Sequence, residues 1–410
     1  MKNEKIKNTK TSGTKRNMGF RILADGITVS NDTWITGMNN NDIIYGGTGS
    51  GKTTGYVEPN IRNINGSMIV SDTKGRLCKK YTGELEKKGY EVKVLDLVNP
   101  HLSCPYNPLS QIRRYKGGGF REQDVLTCAQ SLVADIADAD EPIWHMSARS
   151  YITFLICYCL EEMPEEEQNL TTICELNHAF SRANGELPFV HWVKYHPKSF
   201  AAKKYREIKA NMPAEKMWSS ILGFANVALE PFEFHESEYI FGKSESIDLK
   251  ELGRKKMVLF LNVSDTDRTF DPLVNIFYTQ ALQNLCAEAD ERPDGRLRVP
   301  VRIIMDDFAT SARIRDFDKI ISVIRSREIS VSLILQSMAQ LKNMYGEAAN
   351  TIIDNCDHTL FLGTQNLETA EFIGTRAYKT PEKILCMPAD SAYLLEKGKE
   401  ARLVKKILPA

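Results

Sequence analysis

A short glycine-rich segment carries the strongest chemical signal in the sequence. Gly46, four intervening residues, Gly51, Lys52 and Thr53 fit the pattern G-x-x-x-x-G-K-[ST]. Glycines in such a loop adopt positive φ angles, so that backbone N–H groups turn inward around a polyphosphate. Lys52 adds a point charge for the β- and γ-phosphates, and Thr53 adds a hydroxyl for Mg²⁺. The residues predicted to bind a nucleotide are Gly46, Gly47, Thr48, Gly49, Ser50, Gly51, Lys52, Thr53 and Thr54.

Two adjacent carboxylates follow the short apolar run at residues 303–305. A nucleotide hydrolase needs one strand-end carboxylate to hold Mg²⁺ through water and a second to orient the attacking water. We expect Asp306, with Thr53, to be the Mg²⁺ partner, and Asp307 to be the base that polarises the water. Asp72 ends a weaker apolar run, and we expect it to face the catalytic crevice as support.

Three further polar side chains flank the apolar run VSLIL at residues 331–335. Gln336 follows it, and a neutral amide there can contact both the γ-phosphate and the water. Arg325 and Arg327 precede it, at the end of a helix predicted at 314–326. In a ring of subunits, an arginine at this position can reach a neighbour's γ-phosphate and accelerate hydrolysis. The alternative is that both arginines cover a solvated helix end.

The elements that would position these residues follow two patterns. Strands and helices alternate in both terminal parts of the chain, which predicts an α/β fold with a parallel sheet covered on both faces. The predicted strands are 42–46, 67–72, 92–98, 255–263, 299–307, 331–335 and 358–363. From about residue 120 to 235 only helical periodicity is present, which indicates an all-helical insertion. The predicted units are a basic, disordered tail (1–19), a nucleotide-binding domain (20–114 and 240–410) and an all-α domain (115–239).

Composition limits the remaining possibilities. The 410 residues carry a formal net charge of zero, so any basic surface for nucleic acid must be local. The nine cysteines form no C-x-x-C pair, which argues against a zinc site and favours reduced thiols in the cytosol. No segment approaches the roughly 18 apolar residues needed to cross a bilayer. We therefore expect a cytoplasmic protein, either free or peripheral at the inner face of the cell membrane.

Several segments together resemble one family, the type IV coupling proteins. These are the TraG/TraD-like ATPases of conjugation and type IV secretion, relatives of the FtsK and HerA DNA pumps. The resemblance covers roughly residues 40–110 and 247–375. The matching segments are YGGTGSGKT, VSDTKG, YNPL, MDDFA followed by IISVIRSREISVSLILQSMAQL, and NCDHTLFLG.

This resemblance implies a RecA-like P-loop nucleotide-binding domain with a mostly parallel sheet, plus an inserted all-α domain. It implies ATP and Mg²⁺ as cofactors, and a homo-hexamer with DNA in its central channel. The implied partners are relaxase-bound single-stranded DNA, relaxase and relaxosome proteins, and a type IV secretion channel or a separate membrane subunit. Two departures stand out. Similar proteins carry transmembrane helices before the motor, and they have Asp-Glu where this chain has Asp306-Asp307.

Three functions fit these observations. The first is a coupling ATPase that recruits or pumps relaxase-bound DNA into a secretion channel. The second is an ATP-binding adaptor that recruits a relaxase or effector protein with little turnover, which the shorter Asp307 side chain keeps open. The third is an FtsK- or HerA-like DNA pump with another purpose. DNA-stimulated ATP hydrolysis separates the first from the second, and selective binding of a relaxase complex separates the first from the third.

Overall fold

The computed structural model describes residues 18–133, 142–242, 246–308 and 313–408. Most of the predicted basic tail, residues 1–17, lies outside the described residues. The strands are β1 (Phe20–Ala24), β2 (Ile27–Ser30), β3 (Asp42–Tyr45), β4 (Ser67–Asp72), β5 (Glu91–Asp96), β6 (Met257–Asn262), β7 (Val301–Met305), β8 (Ile329–Leu335), β9 (His358–Phe361), β10 (Ser391–Glu396) and β11 (Arg402–Lys405).

Helices connect these strands and also form a separate block. The helices are α1 (Thr33–Thr36), α2 (Glu58–Arg62), α3 (Arg76–Lys87), α4 (Glu122–Leu132), α5 (Pro142–Glu162), α6 (Leu170–Ser181), α7 (Leu187–Tyr195), α8 (Phe200–Lys209), α9 (Glu215–Leu229), α10 (Glu238–Phe241), α11 (Asp271–Asp290), α12 (Phe317–Val323), α13 (Met338–Tyr345), α14 (Ala348–Asp354), α15 (Leu367–Ala377) and α16 (Pro381–Leu385). Within these described residues, no helix is both long and apolar enough to cross a membrane.

Nine strands form one sheet in the order β11-β10-β9-β3-β8-β7-β4-β6-β5. The pairings from β9 to β5 are all parallel, whereas β10 and β11 join as an antiparallel hairpin at one edge. Every residue of β3, β4, β6, β7 and β8 is buried. Burial on both faces explains why these strands read as near-continuous apolar runs in the sequence. The predicted α/β fold with a mostly parallel sheet is confirmed.

Helices α4 to α10 occupy the chain between β5 and β6, so the predicted all-α insertion is confirmed as part of the fold. Its core contains a cluster of aromatic rings packed edge to face around Phe154 and Phe180. The ring centroids of Phe154 and Phe180 are 5.9 Å apart. The domain boundaries at residues 115 and 239 remain a prediction.

Some predicted boundaries differ from the structure. The strand predicted at 299–307 begins at Val301, because Pro300 has no N–H to contribute to the sheet. The helix predicted at 314–326 is shorter. It covers Phe317–Val323 and tightens into a 3₁₀ turn at Ile324–Arg327.

Candidate phosphate-binding site

The glycine-rich loop lies at the carboxyl edge of the sheet, directly after β3. Its start is held by the two strands that flank β3. The Gly46 N–H donates to the Leu335 carbonyl at 3.0 Å, and the Gly47 N–H donates to the Gly363 carbonyl at 3.1 Å. Gly49 and Gly51 have φ angles of 74° and 89°, a backbone conformation that residues other than glycine rarely adopt. The loop therefore has the backbone geometry that the motif predicts.

The loop runs into a helix whose first turn, Thr53–Val57, is π-helical and continues as α2. A helix N-terminus beside a glycine loop favours an anion, because its first N–H groups have no partner within the helix. The Ser50 hydroxyl is buried and has no hydrogen-bond partner among the described residues. A hydroxyl donor left unsatisfied in this loop fits a bound phosphate group.

The Lys52 ammonium lies against the start of the same loop. Its Nζ donates to the Gly46 carbonyl at 2.8 Å and to the Gly47 carbonyl at 3.3 Å, and the residue is buried. Two neutral carbonyls leave the positive charge of this buried ammonium without a counter-ion in these contacts. A polyphosphate would supply the negative counter-charge, as the motif predicts.

The two carboxylates at the end of β7 lie next to the loop. The Thr53 hydroxyl donates to Asp306 Oδ2 at 2.7 Å, and the Asp307 N–H donates to Asp306 Oδ1 at 3.1 Å. Burial raises the pKa of Asp306 to about 6, and the charge of Asp307 adds to this. The Thr53 hydrogen bond and the Lys52 charge act in the opposite direction. A threonine hydroxyl and a carboxylate in contact offer the oxygen ligands that Mg²⁺ prefers.

Asp307 and Gln336 also follow the carboxyl ends of strands on this side of the sheet. Asp307 has a φ angle of 49°, in the left-handed region that aspartate tolerates better than most side chains. Gln336 directly follows Leu335, the residue that accepts the hydrogen bond from Gly46. The Gln336 backbone N–H donates to Gln340 Oε1 at 2.8 Å, which orders the turn at the end of β8.

Asp72 has a different role from the one expected. Its Oδ1 accepts from the Arg76 N–H at 3.1 Å and its Oδ2 accepts from the Cys78 N–H at 2.9 Å. The carboxylate therefore satisfies free N–H groups at the start of α3, as a helix-capping side chain does. These contacts indicate that Asp72 stabilises the start of α3.

The two arginines lie at the amino ends of the parallel strands, opposite the phosphate loop at the carboxyl ends. Both precede β8, whereas the phosphate loop meets its carboxyl end, and the seven residues of β8 span roughly 20 Å. Arg327 makes two hydrogen bonds to the Asp290 carboxylate, at 2.8 and 3.1 Å. Arg325 Nη2 donates to the Thr33 carbonyl at 3.4 Å. The structure therefore does not bring either arginine to the phosphate loop of its own chain.

One cation beside the loop was missed by sequence reasoning. Lys406, which follows β11, donates from Nζ to the Leu362 carbonyl at 2.6 Å and to the Ser50 carbonyl at 3.3 Å. No motif marks this lysine. However, the two short runs SAYLLE and RLVK around Gly398 are typical of a β-hairpin, and that signal could have placed the segment at the sheet edge.

Known proteins share this fold. The structure of the plasmid coupling protein TrwB in complex with ADP and Mg²⁺ superposes with a TM-score of 0.70 at 14% identity, covering 97% of this chain and 90% of that one. TrwB in complex with the non-hydrolysable ATP analogue ADPNP gives a TM-score of 0.67 at 14% identity, covering 97% and 91%. The chain thus has the RecA-like P-loop fold.

Sequence comparison points the same way. The chain is 22% identical over 365 residues to a probable conjugal transfer protein TraG of Sinorhizobium fredii (strain NBRC 101917 / NGR234), covering 83% of this chain and 53% of that protein. It therefore spans about half the length of this curated relative. The model of the family described as type IV secretory system conjugative DNA transfer matches residues 2–380. Since this match covers most of the sequence and the fold agrees with it, the chain belongs to the type IV secretory system conjugative DNA transfer family.

Proposed function

We propose that the chain binds ATP with Mg²⁺ at residues 46–54 and hydrolyses it to drive DNA transfer through a type IV secretion system. The observation that carries this proposal is the contact between Thr53 and Asp306, a hydroxyl and a carboxylate 2.7 Å apart at the end of the phosphate loop. It joins two distant parts of the sequence into a Mg²⁺-type ligand pair. The nucleotide complexes of the structurally similar TrwB support the same assignment.

Each residue of the site has a task in this proposal. The N–H groups of the loop hold the phosphates, and Lys52 moves from the carbonyls of Gly46 and Gly47 to the phosphate oxygens. Thr53 and Asp306 hold the metal, Asp306 through water. Bound Mg²⁺ neutralises charge on the phosphates and orients them.

We assign the attacking water to Asp307 and Gln336. Asp307 accepts its proton, and Gln336 orients it against the terminal phosphate. The backbone of Gln336 is bonded to Gln340, which lies in α13. Loss of the terminal phosphate would therefore change the position of α13 through this contact.

The larger assembly follows from the position of the arginines. Neither Arg325 nor Arg327 lies at the phosphate loop of its own chain, so we propose a homo-hexamer in which one of them acts on the neighbour's nucleotide. The cargo is relaxase-bound single-stranded DNA. The partners are relaxase and relaxosome proteins and a type IV secretion channel or a separate membrane subunit. The proposed location is the cytoplasm, either free or peripheral at the inner face of the cell membrane.

The proposed units are the nucleotide-binding domain (20–114 and 240–410) and the all-α domain (115–239). The alternative function is an ATP-binding adaptor with little turnover. It is favoured by the short Asp307 side chain at the position of the base.

A lysine substitution tests the nucleotide site. Lys52→Ala removes the loop cation, so it should abolish ATP hydrolysis and weaken Mg²⁺–nucleotide binding while the fold persists. Lys74→Ala is the matched control, since Lys74 is exposed and pairs with Asp265 at 3.4 Å. Nucleotide affinity is measured by calorimetry and turnover by phosphate release. Equal affinity and turnover in Lys52→Ala and Lys74→Ala would refute the proposal.

A further inference from the structure

The segment after β11 lies against the phosphate loop, although about 350 residues separate them in the sequence. Besides the two hydrogen bonds of Lys406, the Ile407 carbonyl lies 3.1 Å from where a Cβ would stand on Gly55. The segment is fixed on its other side, because the Lys406 N–H donates to the Asp390 carbonyl at 2.9 Å. Lys406 therefore approaches the loop from an anchored strand end.

The Ser50 carbonyl that Lys406 contacts lies between two glycines of the loop. Gly49 and Gly51, on either side of Ser50, both have positive φ angles. Glycine adopts either sign of φ at little cost, so this peptide could rotate if nothing held it. The Lys406 ammonium is half-buried, and burial lowers its pKa from the ordinary lysine value. A half-buried ammonium needs its acceptors, which makes the contact with the loop favourable.

A contact that fixes a carbonyl also fixes the direction of the N–H group of the same peptide. A trans peptide is planar, and its C=O and N–H point in opposite directions. The Ser50 carbonyl points toward Lys406, so the Gly51 N–H points away from it. Within the part of the chain that the structure describes, the Gly51 N–H donates to no backbone carbonyl. A fixed, unused N–H donor in a glycine loop is ready for an anion.

We propose that Lys406 is a positioning residue of the nucleotide site, which fixes the Ser50–Gly51 peptide so that the Gly51 N–H faces the phosphates. This inference rests on the proposed nucleotide site. Lys406 acts from outside the loop, on the Ser50 carbonyl, whereas Lys52 acts on the phosphates. Lys406, directly after the C-terminal hairpin β10–β11, is then part of the nucleotide site, even though it lies outside the motif.

The test compares three variants of the full chain. Lys406→Ala removes the contact, Lys406→Arg keeps a cation, and Lys405→Ala is the matched control. Lys405 is the preceding residue, and its side chain is exposed and pairs with Asp390, away from the loop. Binding of a fluorescent ADP analogue with Mg²⁺ should weaken about tenfold in Lys406→Ala, since a charge-assisted hydrogen bond is lost. Lys406→Arg should recover part of that loss, and Lys405→Ala should match the parent.

A second readout needs no nucleotide. In hydrogen–deuterium exchange of the ligand-free protein, the peptide covering residues 46–57 should exchange faster in Lys406→Ala than in the parent or in Lys405→Ala. The affected donor is the Gly55 N–H, which bonds to the Gly51 carbonyl at 2.7 Å. Unchanged exchange in Lys406→Ala overturns the inference. If the parent binds nucleotide, an equal affinity in Lys406→Ala overturns it as well. A parent that binds no nucleotide refutes the proposed function, and exchange alone then decides whether Lys406 orders the loop.

Discussion

Asp307 is the proposed base, so the rate of ATP hydrolysis should depend on its side chain. It follows β7 in a left-handed conformation, with its N–H bound to Asp306. The left-handed conformation is tolerated by aspartate and asparagine because a short polar side chain can bond locally, and it is less favourable for glutamate. Asn and Glu at this position therefore test different properties.

Asp307→Asn should keep the backbone conformation and remove the base. We expect turnover to fall by about 10²–10⁴-fold, the usual contribution of general-base catalysis, with nucleotide affinity nearly unchanged. Steady-state phosphate release and calorimetric binding measure the two quantities. Full activity in this variant would exclude Asp307 as the base and favour the adaptor function.

Asp307→Glu lengthens the side chain by one carbon–carbon bond, about 1.5 Å. If the short aspartate holds the water poorly, turnover should rise. The gain should be modest because glutamate fits the left-handed conformation less well than aspartate. Phosphate release from this variant is compared with that of the parent. A slower enzyme would show that the site has adapted around the shorter aspartate.

The residues of the phosphate loop could be predicted because the motif is local and every position has its own chemical reason. The neighbouring carboxylates could be predicted because strand ends of a parallel sheet meet at one edge. Lys406 could not, because its contact with Ser50 depends on tertiary structure alone. For Asp72 the position was right, but the helix that starts at Arg76 uses its carboxylate.

Among the elements, β3 is anchored by a buried charged cluster at its amino end. The Asp42 carboxylate accepts two hydrogen bonds from Arg21 Nε, at 3.0 and 2.9 Å, one from Arg302 at 3.2 Å and one from Tyr56 at 2.6 Å. The nearby arginines contribute to a lowered pKa of Asp42, against the effect of burial. Because β3 leads into the phosphate loop, this cluster fixes the base of the nucleotide site.

His358, the first residue of β9, belongs to the same cluster. Arg21 Nη2 lies 2.8 Å from its Nδ1, and arginine can only donate, so Nδ1 is the acceptor and the imidazole is neutral. Its Nε2 is buried without a hydrogen-bond partner among the described residues. Burial lowers the pKa of His358, and the charge of Arg21 adds to this, while Asp42 opposes it.

This neutral histidine predicts a pH dependence of stability. The unfolded imidazole titrates near pH 6.5 and binds more protons than the folded one. Its contribution to the free energy of unfolding is therefore complete above about pH 6.5 and is lost as the pH falls, by up to about 1.4 kcal/mol per pH unit. His358→Gln keeps an acceptor for Arg21 and should flatten the loss between about pH 7 and pH 5.

Denaturant unfolding of the nucleotide-free protein across this pH range measures the effect. His235→Gln is the control, because the side chain of His235 is 89% exposed. A His358→Gln variant with the same pH dependence as the parent would show that His358 does not titrate on unfolding.

The seven parallel strands of the central sheet could be predicted, whereas the pair β1–β2 and the hairpin β10–β11 were missed. Buried parallel strands are continuous apolar runs, which a sequence shows clearly. Strand β2 is short and half-exposed, and β11 has three exposed residues out of four. Such strands are defined by their pairing partners more than by their own residues.

At the scale of the whole molecule, the two ends of the parallel strands carry different charged groups. The carboxyl edge carries the phosphate loop and the carboxylates, and the amino edge carries the arginines. A head-to-tail arrangement of copies would bring unlike edges together, and closure of such an arrangement gives a ring. Arg325 is exposed, whereas the guanidinium of Arg327 is held by Asp290. We therefore expect Arg325 to be the residue that acts on the neighbour.

Mixing two inactive chains tests this arrangement. An Arg325→Ala chain has an intact nucleotide site, and a Lys52→Ala chain has an intact arginine. Some interfaces in mixed rings then combine both, so ATPase activity should recover, since a trans arginine contributes about 10³- to 10⁵-fold. The same mixture with Arg327→Ala is the comparison, and we expect Arg327→Ala alone to stay active. Absence of recovery with Arg325→Ala, in rings shown to be mixed, would mean that Arg325 acts elsewhere or covers a solvated helix end.

The measurement that tests the central claim most directly is the ATPase rate with and without single- and double-stranded DNA, taken over a range of protein concentrations. A DNA-driving motor with a site completed by its neighbour should show a rate per chain that rises with protein concentration and rises further with single-stranded DNA. Lys52→Ala should stay inactive throughout. A rate per chain that is independent of both concentration and DNA would contradict the account.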